Sequence, residues 1–151
     1  MRPWVRPVAI CPVFYNNKGV PIPPEIHGQK YLSLTTFRKN GEPVATPVWF
    51  AERDGTIYLF TFPSAGKVKR IRHTARVTVA PCTATGNVTG TASEGVARIL
   101  TEPADETLAE RTLAKKYGLI WYLYDAANAI GRVLRRRPKT PSVWLAIEPP
   151  S

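Results

Sequence analysis

Two dipeptides limit the folds open to this chain more than anything else in it. Asn40-Gly41 and Asp54-Gly55 each sit between short runs rich in β-formers. Such pairs favour the two-residue turns of antiparallel hairpins, because both central residues must take positive φ. Parallel strands need crossovers of about a dozen residues or more, so a doubly wound parallel sheet is excluded over this part of the chain. The runs themselves are YLSLTTF (31–37), PVATPVWFA (43–51) and IYLFTF (57–62). They read as three strands of an antiparallel meander, with Pro43 and Pro47 marking the second as an edge or irregular strand.

The third run breaks at Pro63, Ser64 and Gly66, and KVKRIRHTA follows. Val68 and Ile71, three apart, predict a helical turn or two with cations over the remaining surface. RVTVAP (76–81) reads as a fourth strand and GTASEGVARIL (90–100) as a long fifth, with Gly95 suggesting a bulge or sharp bend. After Thr101 the period changes. Ala109, Leu113, Tyr117 and Ile120 share one helical face that Gly118 interrupts, and Leu119, Leu123, Ala126, Ile130 and Leu134 form a second apolar face. SVWLAIE (142–148) supplies a sixth strand that closes the sheet. The expected fold is mainly β, a six-stranded antiparallel split β-barrel with two or three helices. Residues 1–28 read as a Pro-rich N-terminal arm and 29–151 as the barrel domain.

At 151 residues the chain is the size of one domain, and 44% hydrophobic content argues against global disorder. The net charge of +10 demands an anionic partner: nucleic acid, an acidic membrane surface or a phosphorylated small molecule. Two cysteines, Cys11 and Cys82, form neither a disulfide framework nor a zinc motif. No apolar run approaches the roughly 18 residues that span a bilayer, and prolines interrupt the basic N-terminus, so a cytoplasmic location is expected. His27 and His73 have no carboxylate or cysteine at a useful spacing and read as ordinary polar residues.

The cations concentrate in two places, Lys67 to Arg76 and Arg132 to Lys139. Lys67 and Arg70 lie one helical turn apart just past a strand, an arrangement that can hold a phosphodiester beside the helix N–H groups. Together with "ATPVWF", "IYLFTF", "AGKVKRIRHTARVTV" and "EGVARIL", this order resembles the split β-barrel oxidoreductases of the pyridoxamine-phosphate-oxidase-like class. More narrowly it is similar to the branch using the deazaflavin coenzyme F420, over roughly residues 29 to 148.

The resemblance implies a homodimer with its cofactor in a groove between subunits. It implies cofactor contacts from Lys67 and Arg70 on the phosphate side, with Lys69 beside them. Thr61 would lie near the ribityl chain, and the backbone of Pro47, Val48 and Trp49 would line the ring. Relatives using FMN carry Ser and Arg where this chain has Ala65 and Gly66, a departure that leaves room for a longer, multiply charged tail. Trp121, Tyr122 and Tyr124 read as a dimer seam or one wall of a substrate pocket. No catalytic acid, base, nucleophile or metal site is expected, since in hydride transfer the reactive carbon belongs to the cofactor. The alternatives are an FMN-dependent enzyme on the same fold, and a basic barrel binding single-stranded nucleic acid. A weaker one is membrane-surface association through Arg132 to Lys139.

Overall fold

The computed structural model describes residues 24–136 and 142–150. Seven strands, β1 (Tyr31–Phe37), β2 (Pro43–Trp49), β3 (Ala51–Arg53), β4 (Thr56–Thr61), β5 (Arg76–Cys82), β6 (Ser93–Ile99) and β7 (Val143–Glu148), form one antiparallel sheet. Its order is β2-β1-β5-β6-β7-β4-β3. The two end strands, β2 and β3, are separated in the chain by Phe50 alone. The sheet must therefore curl until its two ends come together at Phe50, which makes a split barrel.

The expected second strand is thus real but broken at Phe50, and the expected meander keeps both hairpin pairings but is split at that break. β2 pairs only with β1, while β4 pairs with β3 and with the C-terminal β7. Local turn signals cannot reveal this exchange, because the partner of β4 lies more than eighty residues away. The Asp54-Gly55 turn stands as read, Asp54 (φ 49) and Gly55 (φ 81) joining β3 to β4, whereas at Asn40-Gly41 Gly41 alone takes positive φ (87) and the connection from β1 to β2 runs over residues 38–42.

Alternation along each strand builds two cores. Leu32, Leu34, Val48, Phe50, Ile57, Leu59, Val77, Val79, Leu145 and Ile147 fill the barrel interior, together with Ile26 from a single 3-10 turn (Pro24–Ile26) and Ile71. Ala51, Leu100, Trp144 and Ala146 face the other way and are covered by Ala109, Leu113 and Trp121 of the helices α2 (Pro103–Tyr117) and α3 (Leu119–Leu134). Because β7 is buried on both faces, Trp144 and Ala146 are as sheltered as Leu145 and Ile147. The remaining helix, α1 (Gly66–His73), buries Val68 and Ile71 as its spacing predicts.

Three expectations are corrected here. The fifth run becomes strand only from Ser93, and Gly95 holds a regular register with Val77 instead of a bulge. Its role is close approach: a Cβ there would lie 2.7 Å from Ile147 Cγ2 and 3.2 Å from the Glu148 carbonyl oxygen. Gly118 (φ 54) turns the chain so sharply that Ile120 leaves the face of Ala109 and Leu113 and is exposed.

Candidate anion and cofactor site

Antiparallel alternation through the sheet order gives β1 and β4 the same direction, so their C-terminal ends open at one mouth of the barrel. Thr36 near the end of β1 and Thr61 at the end of β4 are both buried there on the inner faces. The chain leaves β4, turns at Phe62–Ala65, and lays α1 across this mouth against β1.

Arg70 reaches back from the second turn of α1, and its Nε donates to Thr36 Oγ1 at 2.6 Å. Its guanidinium crosses the helix start so closely that a Cβ at Gly66 would lie 2.8 Å from Nη1. Lys67 sits beside it, half-buried. Desolvation, and then the Arg70 charge, hold the Lys67 ammonium below the usual lysine range. Among the described residues neither cation has a carboxylate within ion-pair distance. Ala65 provides no side-chain cap for the first turn. Two like charges held together at an uncapped helix start form a site that an anion relieves.

The sequence-derived residues do not all converge. Lys67, Arg70 and Thr61 belong to the barrel mouth. Lys69 projects from the far side of α1 into solvent. Pro47 lies opposite Ser33, and Trp49 opposite Tyr31, so this segment sits roughly 10 to 17 Å farther along β1 from Thr36. The Val48 side chain is part of the core. The Trp49 ring lies on the outer face, stacked on Tyr117 at 5.0 Å and near Tyr124 at 5.3 Å. On the inner wall of β2, facing Leu34, Thr46 Oγ1 is buried with no hydrogen-bond partner among the described residues. Thr46 Oγ1 thus faces the barrel interior and the Trp49 ring the outer face, so these groups do not share one wall.

A family profile described as pyridoxamine 5'-phosphate oxidase matches residues 22–149. This chain belongs to that family. A conserved hypothetical protein of Mycobacterium tuberculosis aligns with a TM-score of 0.58 at 21% identity, covering 84% of this chain and 77% of that one. The heme storage protein of Vibrio cholerae aligns at 0.59 and 11% identity, covering 82% and 84%. A FAD-binding protein of Mesorhizobium loti aligns at 0.55 and 18%, covering 84% of each chain. These likenesses establish the split-barrel fold. A search of curated proteins finds no match.

Within this member of the pyridoxamine 5'-phosphate oxidase family, a second polar group lies at the β2–β3 break, where sequence reasoning found none. The Tyr117 hydroxyl accepts from the Phe50 N–H at 3.0 Å and donates to the Phe50 or the Lys30 carbonyl, each at 2.8 Å. Burial pushes its pKa up to about 12. Lys116 Nζ stands 3.5 Å above the Phe50 ring and is lowered to about 8 by burial, against an opposing pull from Glu52. His27 Nδ1 pairs with Glu52 Oε1, so the expectation that no carboxylate lies near His27 is corrected. The two residues are 25 apart in sequence, and only the fold joins them. Cys82 is buried, and desolvation raises its thiol pKa, which makes it a poor nucleophile.

Proposed function

We propose that this family member is an oxidoreductase that transfers a hydride between coenzyme F420 and a small electron-poor organic substrate. The observation that carries the reading is the Lys67–Arg70 pair at the barrel mouth, two cations side by side with no neutralising carboxylate among the described residues. When bound, the deazaflavin supplies the hydride-carrying carbon.

The chain's own residues bind and orient. Lys67 and Arg70 would hold the anionic tail, with Thr36 fixing the Arg70 fork and Thr61 flanking the path. The Pro47–Trp49 backbone would lie along the ring. The barrel wall would keep water from the reacting face, a role of position and shielding that needs no dedicated acid or base. A homodimer that completes the groove belongs to this proposal.

A charge-assisted contact contributes about 1.5–3 kcal/mol, so Lys67→Ala should weaken F420 binding by about tenfold or more. Cofactor fluorescence titration checks this, and equal affinities would remove the site assignment. A second reading, FMN, is supported by one observation. The Arg70 guanidinium lies over Gly66, near the position from which FMN-using relatives present their own arginine. A protein that purifies yellow with a flavin spectrum would favour it over F420.

A further inference from the structure

The second apolar face expected of the C-terminal helix exists, but among the described residues it packs on nothing. α3 touches the body through Trp121 and Tyr124, which join Phe60 and Trp144 in an aromatic cluster. Leu119, Tyr122, Leu123, Ile130, Val133 and Leu134 recur at three- and four-residue spacing on the opposite side. Leu123 is 60% exposed, Val133 77% and Leu134 78%. A soluble helix normally turns such a face inward; here it points outward.

The charges around this face are one-sided. Asp125 is the only acid in α3, whereas Arg132, Arg135 and Arg136 gather at its C-terminal end, and the sequence continues with Arg137 and Lys139. With 16 residues, α3 is about 24 Å long, short of the roughly 30 Å hydrocarbon core, and no described helix is long and apolar enough to cross a membrane.

We propose that α3 lies in the plane of an anionic lipid bilayer, its leucine and valine face among the acyl chains and its arginines at the headgroups. The exposed residues form one strip along the helix, which a planar interface can cover. On this face a second copy is disfavoured as occupant because it would add its own Arg132, Arg135 and Arg136 to a helix end that is already cationic; the homodimer proposed above would form elsewhere, across the cofactor groove. The combination of an apolar arc and a basic end on one helix is that of interfacial anchors, whose affinity adds buried apolar area to electrostatic attraction.

Flotation of the full chain with vesicles tests this. With phosphatidylcholine containing about one third phosphatidylglycerol, the protein should float; with phosphatidylcholine alone, most should stay below. The pair Leu123→Asp with Val133→Asp should reduce flotation at least tenfold. Both side chains are exposed, so the barrel should keep its circular dichroism spectrum. Removing Arg132, Arg135 and Arg136 together should lower partitioning about a hundredfold, at roughly fivefold per arginine. The proposal is overturned if the wild type ignores anionic vesicles or floats equally with neutral ones. It is also overturned if light scattering shows that the aspartate pair dissociates an oligomer while leaving flotation unchanged.

Discussion

Lys116 is the residue whose chemistry departs furthest from what its sequence position suggests. In the unfolded chain its ammonium titrates near the ordinary lysine value, but in the fold it sits on the Phe50 ring and titrates at about 8. Below pH 8 it is charged in both states, and the folded protein carries the whole desolvation cost. As pH rises from 8 toward the unfolded value of 10.5, the folded state releases the proton first, so stability rises with pH across that window. For a half-buried group the gain is about 1–2 kcal/mol after solvent screening. Lys116→Met should abolish this rise. Urea unfolding of both proteins at about pH 7 and pH 9.5 checks it, and a stability difference that stays constant between the two would refute the assignment. Tyr117 works in the opposite sense. Its raised pKa gives a contribution fully present below pH 10 and lost as pH climbs toward about 12, so the comparison is best kept below 10. Neither shift was legible in the sequence. The helical period placed Tyr117 toward the core, but its hydroxyl's partners lie 67 and 87 residues away.

Among the elements, the break between β2 and β3 is where the barrel is most exposed to loss of register. Phe50 belongs to neither strand, and its N–H finds the Tyr117 hydroxyl from α2 in place of a ladder partner. Tyr117→Phe leaves that buried N–H unmet and should cost about 1–3 kcal/mol. Hydrogen exchange should show faster opening at β2 and β3 than at β5 and β6. Uniform protection across the sheet would argue against this stitching role. At β6 the constraint is steric. A Cβ at position 95 would press on Ile147 and the Glu148 carbonyl, so Gly95→Ala should lower stability by about 1–3 kcal/mol, readable as a shift in the urea midpoint. An unchanged midpoint would mean that β7 can retreat from β6. The sequence marked Gly95 as special but offered a bulge as the reason, because a glycine in a strand signals several things that only the neighbouring strand distinguishes. The α1 reading needed no such neighbour: Val68 and Ile71 are three apart, and both are buried.

For the molecule as a whole, the sequence by itself determined the β-rich class, the hairpin turns, the helix positions and the excess of positive charge. These follow from short-range physics: period-two and period-3.6 apolar patterns, turns that demand positive φ, and composition. Its order of motifs also pointed to the right family, which the match over residues 22–149 shows. Only the tertiary structure decided that β4 pairs with β7, that the sheet closes through Phe50, and that Arg70 folds back to Thr36 across the barrel mouth. It alone left one face of α3 without a partner among the described residues. Strand partners and exposed faces depend on contacts between residues far apart in the chain, and local pattern carries no record of which distant segment arrives to make them.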